Sequence, residues 1–332
     1  MPNNSSKFMV VGSNSFSGAS FVAHLLEKRM CVTGISRSSE PHKAFLPYKW
    51  CDNENFKFRQ LDLNNDLDGI IKLVEEERPD YIVNFAAQSM VAESWSNPGH
   101  WFQTNVVANV KLHDHLRKCS FLKKYVHVST PEVYGTCAGL VVENTNYNPS
   151  TPYAVSRAAA DMSLMSFYKA YNFPVVFTRA ANVYGPGQQL YRIIPRTILF
   201  FLLGKKLQLH GGGQSVRSFI HINDVADGTL RVAEKARPGE IYHLSTPRNI
   251  SIRDLVEMIA EKMRISFKEH VEVVGERLGK DSAYLLDSTK AIKTLGWEPK
   301  IGLEQGIEET IGWVRDNVDV LKNISFDYKH KA

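Results

Sequence analysis

Long apolar runs are missing from this 332-residue sequence. No stretch approaches the roughly 18 residues that a membrane-spanning helix needs, and the opening MPNNSSKF has no apolar core of a secretory leader. Cysteine is scarce, and the four present (Cys31, Cys51, Cys119 and Cys137) lie too far apart for a metal-ligand or disulfide spacing. They read as reduced thiols, which places the chain in the cytoplasm with no metal and no membrane partner. Internal repeats and low-complexity segments are absent. Charge of one sign is not in excess either: 40 Lys+Arg against 35 Asp+Glu leave +5, and the basic residues are scattered without interleaved aromatics. That excludes a nucleic-acid stripe and leaves anionic small molecules as the partners for a few placed arginines. What remains is an ordinary globular composition, 43% hydrophobic and 23% charged, in a chain long enough to bury a large core.

The stretch Tyr125–Arg157 concentrates the chemistry. Tyr125–Thr130 alternates aromatic or β-branched residues and ends in the hydroxyls Ser129 and Thr130, as a buried strand opening into a site would. Glu132 follows two residues later, where open α/β sheets bind their ligands. Thr151-Pro152 reads as an N-cap with proline at the first helical position. The helix so started carries Tyr153 and Arg157 at i and i+4, on one face and roughly 6 Å apart along the axis. Two hydroxyls, a carboxylate, a phenol and a fixed cation thus converge, a set suited to moving protons.

Earlier in the chain, Phe8–Gly12 reads as a strand followed by SNSFSG and a helical pattern. Gly12 allows the tight turn and Gly18 close helix–strand packing, while Ser15 holds the middle position, where a small residue admits a pyrophosphate and a hydroxyl could face it. Strand Cys31–Ile35 leads into Ser36-Arg37-Ser38-Ser39 with no acidic residue for a ribose 2′-hydroxyl, which suits a 2′-phosphate. Phe56–Asp62 and Tyr81–Phe85 are the next strands, the second followed by the small residues Ala86-Ala87 with Gln88 and Ser89. A helix over Pro98–Lys118 carries Thr104-Asn105, and Pro174–Arg179 reads as a strand.

STPEVYG, TPYAVSR, GISRSS and NFAAQSMVAESW together resemble the extended short-chain dehydrogenase/reductase family, most of all its nucleotide-sugar 4,6-dehydratases. Arg157 stands where that family has lysine, and Pro131 where the dTDP-glucose dehydratases have an aspartate. The resemblance covers nearly the whole chain, the last dozen residues excepted. It implies an α/β fold, a Rossmann-type doubly wound parallel sheet (residues 1–184 and 219–246) with a smaller, interleaved nucleotide-sugar-binding domain (185–218 and 247–325).

By the same resemblance, Gly12, Asn14, Ser15, Phe16, Ser17 and Gly18 hold the dinucleotide with Arg37, Ser38, Asp62, Leu63, Ala86, Ala87, Gln88, Asn105, Ser129, Tyr153 and Arg157. The cofactor implied is NADP, with NAD as the alternative. Catalysis falls to Thr130, Glu132, Tyr153 and Arg157, the phenol drawn toward neutrality by the guanidinium and the guanidinium gripping the ribose. Substrate contacts fall to Ser89, Thr130, Glu132, Asn182, Arg196, Arg217 and Arg277, with base contacts around Tyr191–Arg196 and Lys205–Leu209. The implied reaction is C4 oxidation of an NDP-hexose, loss of water across C5–C6 and hydride return to C6. A 4-epimerase, a UDP-glucuronate decarboxylase and a non-catalytic binding homologue are the alternatives. A homodimer through the Asn105 and Tyr153 helices is also implied.

Overall fold

The computed structural model describes residues 6–51, 53–137, 139–275 and 285–331. Seven short strands, six of them dominated by buried side chains and the seventh a more exposed edge, make the central layer. They are β1 (Lys7–Val11), β2 (Cys31–Ser36), β3 (Phe56–Gln60), β4 (Tyr81–Asn84), β5 (Lys124–Val128), β6 (Val175–Ala180) and β7 (Ile241–Leu244). Their order is β7-β6-β5-β4-β1-β2-β3, and every neighbouring pair is parallel. An all-parallel sheet needs helices on both faces, so β1, β4, β5 and β6 are apolar almost throughout rather than alternating. Chain direction across the sheet reverses between β1 and β4, and the crevice at that switch point is where such sheets bind ligands.

One face is sealed by helices Phe16–Glu27 and Ile222–Lys235, whose Phe21, Leu25, Val225 and Leu230 join Phe8, Val10 and Val126 in a single cluster. The other face is sealed by helices Leu67–Glu77, Asn109–Leu116 and Pro152–Tyr171, through Ile70, Leu112 and Leu164 against Met9, Ile82 and Phe177. The expected helix over Pro98–Lys118 is present as one run, but residues Gln103–Ala108 form a π-helical turn inside it. Such turns carry one extra residue and often sit at functional sites.

A separate apolar cluster lies beyond the carboxyl edge of the sheet. Helices Ile193–Leu202, Ile252–Met263 and Leu303–Asp316 build it around Ile198, Leu255, Ile259 and Ile307. Ser251 caps the second of these, accepting from Asp254 N at 3.0 Å. The strand Val216–His221 belongs here: it pairs with Asn182–Tyr184 and Asn249–Ser251. A cleft between this cluster and the sheet is lined by Phe16 and Val225 on one side and by Tyr184, Ile194 and Phe219 on the other.

Candidate active site

Gly12 closes β1 with φ of +85°, and a Cβ there would lie 2.7 Å from Ala86 N. A Cβ at Gly18 would fall 2.2 Å from Gly12 O. Backbone occupies both places, so no side chain fits. Ser15 behaves differently from the expectation. Its hydroxyl donates to Gly12 O (2.7 Å) and accepts from Gly18 N (3.1 Å), capping helix Phe16–Glu27 instead of facing outward. Ser15, Phe16 and Ser17 still line the cavity over that helix start, where the dipole favours an anion. Asn14 lines the cleft but works as a brace: its backbone N–H donates to Ser36 Oγ at 2.9 Å, its side-chain amide donates to Ser38 O at 3.1 Å, and its carbonyl accepts from Tyr48 OH at 3.0 Å.

Between the ends of β1, β2, β3 and β4 lies a cavity of about 580 Å³ lined by Gly12, Asn14, Arg37, Ser38, Asp62, Leu63, Ala86, Ala87 and Gln88. Asn105, expected beside them, is not in this lining. Asn105 is fully buried and stays beneath the cleft, accepting from Gln88 N (2.8 Å) and donating to Gln88 O (3.0 Å) and Ser156 Oγ (2.9 Å). These three bonds tie the loop after β4 to helix Pro152–Tyr171 and leave Asn105 outside the described cavity lining. Glycines that admit no Cβ, a helix start beside them and a cavity at the switch point fit an adenine dinucleotide.

The adjoining cavity, about 690 Å³, is lined by Ser89, Ser129, Thr130, Glu132, Tyr153, Arg157, Asn182, Gln188, Arg192 and Arg217 among others. Local sequence places the reactive groups. Thr151 caps helix Pro152–Tyr171 by accepting from Ala154 N at 3.2 Å, with Pro152 at its start. Thr130 caps the short turn Pro131–Tyr134, where Pro131 presets the backbone that presents Glu132. The Thr130 hydroxyl hydrogen-bonds the Tyr153 phenol. Burial pushes that phenol up to about 12, the Glu132 charge pushes the same way, and Arg157, the Thr130 bond and Arg192 only partly offset them. The expected pull toward neutrality is therefore present but outweighed in this structure.

Arg157 is only 2% exposed. Its Nη2 donates to the Val128 carbonyl and to His127 Nε2, the latter at 3.2 Å, so part of the fork expected on the ribose is held by the end of β5. Burial and the nearby guanidinium keep His127 neutral, its pKa well below the ordinary histidine value. Asp161, one turn beyond Arg157, does not pair with it. Asp161 Oδ2 accepts from Arg179 Nη2 and Ser129 Oγ, both at 2.7 Å, in a fully buried pair that fixes Ser129.

Among the expected substrate arginines, Arg217 lines this cavity, whereas Arg196 lies one turn into its helix with its guanidinium 5.1 Å from the Phe200 ring. Arg192, just ahead of that helix and close enough for its charge to act on Tyr153, takes the place given to Arg196. Its signal in the sequence was its position immediately before the apolar run. Asn182 lines the cavity and donates to Ser218 O at 3.1 Å. Strand Leu207–His210, in the stretch expected to contact the base, is absent from the described lining. Arg277 lies outside the described residues.

A Rossmann sheet with a Thr, Tyr and basic residue converging at its carboxyl edge defines a short-chain dehydrogenase/reductase. The model for GDP-mannose 4,6-dehydratase matches residues 9–310. The human dTDP-D-glucose 4,6-dehydratase is 35% identical over 279 residues, which are 82% of this chain and 79% of that protein. A crystal structure of dTDP-glucose 4,6-dehydratase from Bacillus anthracis in complex with NAD superimposes with a TM-score of 0.86 at 31% identity, over 96% of this chain and 99% of that one. The corresponding enzyme from Streptomyces venezuelae, with NAD and TDP bound, gives 0.85 at 29% identity, over 94% of this chain and 97% of that one. The chain belongs to the GDP-mannose 4,6-dehydratase family of nucleotide-sugar enzymes.

Proposed function

We propose that the protein is a nucleotide-sugar 4,6-dehydratase, converting an NDP-hexose to an NDP-4-keto-6-deoxyhexose. The observation that carries this reading is the meeting of Glu132 with the Thr130–Tyr153 pair at one point of the cleft. Epimerisation at C4 needs only the hydroxyl pair; a carboxylate beside it serves a step in which carbon loses a proton. Bound dinucleotide supplies the hydride acceptor for C4 and the donor for C6.

The chain's own groups handle the protons. Tyr153, as phenolate, takes the C4 hydroxyl proton while Thr130 hydrogen-bonds the same oxygen. A 4-keto group acidifies C5–H, and Glu132 removes that proton. Pro131 offers no acid, so protonated Glu132 returns the proton to the C6 hydroxyl, which departs as water and leaves the carboxylate restored; once C6 has regained the hydride, C5 takes a proton from solvent and Tyr153 releases its own. Arg157 places a positive charge that favours the phenolate. Arg192 and Arg217 suit the substrate diphosphate, whose oxygens match guanidinium donors.

NADP is the cofactor we favour, because Arg37 and Ser38 stand at the end of β2 and residues 36–39 there include no carboxylate. Homodimerisation through the helices bearing Asn105 and Tyr153 is supported by exposed Val107 on one and exposed Val155 and Met162 on the other. The four free thiols suit the cytoplasm, and no helix among the described residues is long and apolar enough to cross a membrane.

Incubation with GDP-, dTDP-, UDP- and CDP-hexoses, followed by mass spectrometry, tests the activity. One sugar nucleotide should lose a single water. Unchanged mass with inverted C4 configuration would make the protein an epimerase, and carbon dioxide from a glucuronate a decarboxylase.

A further inference from the structure

Beyond the residues matched by the family model, the chain turns back from the apolar cluster beyond the sheet edge and crosses the cleft at the end of β2. Alternate residues of this segment do different work. Phe326 packs edge-on to Phe200 at 5.2 Å, Tyr328 edge-on to Tyr191 at 5.5 Å, and His330 stacks on His100 and Trp101 at 5.1 and 5.0 Å. His330 Nε2 also lies 2.8 Å from His100 Nδ1. The residues between them, Ser325, Asp327, Lys329 and Lys331, line the 580 Å³ cavity. A period of two is what an extended segment gives when one edge is anchored and the other roofs a hole. The anchors come from both sides of the cleft: Phe200 and Tyr191 from beyond the sheet, His100 and Trp101 from the helix under the cofactor loop.

The segment's last described residue meets the groups assigned above to the cofactor. Lys331 O accepts from Gln88 Nε2 at 2.6 Å and from Arg37 Nη1 at 3.3 Å, and Lys331 Nζ donates to Ser38 Oγ at 3.1 Å. An ammonium, a guanidinium and a hydroxyl are thereby gathered at the end of β2. The carboxylates of Asp62 and Asp327 line the same cavity. A dianion at that point would draw on both cations and the hydroxyl at once.

We propose that residues 326–331 are a strap over the adenosine end of the cofactor cleft, and that Lys331 is a determinant of specificity for an adenosine bearing a 2′-phosphate. The proposal rests on the reading of the cleft as an NADP site. The aromatic anchors hold the strap's backbone, and the ammonium of Lys331 joins Arg37 and Ser38 around the phosphate.

The test is a binding titration of the full chain with NADPH, NADH, 2′,5′-ADP and 5′-AMP. Lys331→Glu should weaken NADPH and 2′,5′-ADP about tenfold or more, the size of one lost charge-assisted contact, and leave NADH and 5′-AMP within about twofold. His330→Ala, which removes an anchor and no phosphate contact, should weaken NADPH less than Lys331→Glu. Hydrogen exchange over 326–331 should slow when NADPH is added. A wild-type chain that prefers NADH overturns the NADP reading. A wild-type chain that prefers NADPH, with Lys331→Glu indistinguishable from it or with NADH weakened equally, overturns the strap while leaving that reading intact.

Discussion

The guanidinium of Arg157 lies 3.2 Å from Nε2 of a neutral, buried His127, on the floor of the cleft. The arginine therefore serves two neighbours, the imidazole beneath it and the phenol one turn back along its helix. Arg157→Met removes the cation from both. A neighbouring cation lowers a phenol's pKa by about 1–3 units, so the apparent pKa for hydride transfer should rise by that amount and the lost rate should return as pH is raised. Arg157→Lys, which keeps the charge, should retain most of the rate. A pH–rate profile with an unmoved pKa in Arg157→Met would remove the arginine from catalysis.

Glu132→Gln should abolish water elimination, by at least about a hundredfold, while cofactor affinity stays at the wild-type value. Deuterium incorporation at C5 should vanish together with product. Persistent 4-keto-6-deoxy sugar from this variant would exclude Glu132 as the base.

Arg37→Ala should weaken NADPH by about tenfold and leave NADH nearly unchanged, as loss of one charge-assisted contact to a phosphate predicts. Equal weakening of both dinucleotides, read by the same titration, would show that Arg37 only supports the loop.

Burial holds His113 and His243 at about 3, each inside the core. Below the ordinary histidine value the unfolded chain binds these protons and the folded chain does not. Stability is then complete above about pH 6.5 and falls as pH drops toward 3, at about 1.4 kcal/mol per pH unit for each group. At pH 5 each costs about 2 kcal/mol. Chemical denaturation at pH 7 and pH 5 should show the loss, and His113→Phe should reduce it; a flat profile would mean that these rings are protonated in the fold.

Much of the frame could be read from local pattern. Thr151-Pro152 starts its helix and Ser251 caps its own because a cap depends on three or four neighbouring residues. The apolar runs of β1, β4, β5 and β6 report burial on both faces, which only a parallel sheet produces. The partner of Asp161 was not legible. A carboxylate four residues from an arginine on a helix suggests that pair, yet Arg179 arrives from β6 and takes it through space. Asn105 presented the right residue on the right helix, but the π-helical turn sets its amide against the loop backbone below the cleft. Arg192 and Arg196 differ by four positions, and only the start of the helix at Ile193 decides which one faces the cavity. Residues 326–331 carry no period or motif that names their target, since what they touch is set by tertiary position alone.

Pro131 has a consequence for where atoms travel. It stiffens the turn that presents Glu132 and contributes no ionisable group. On the proposed mechanism the carboxylate then works as a closed shuttle: the hydrogen lifted from carbon is the hydrogen that departs in the water. Isotope placed at C5 of the sugar should consequently emerge in the expelled water before it mixes with solvent, and the turnover of this site would carry its own internal tracer.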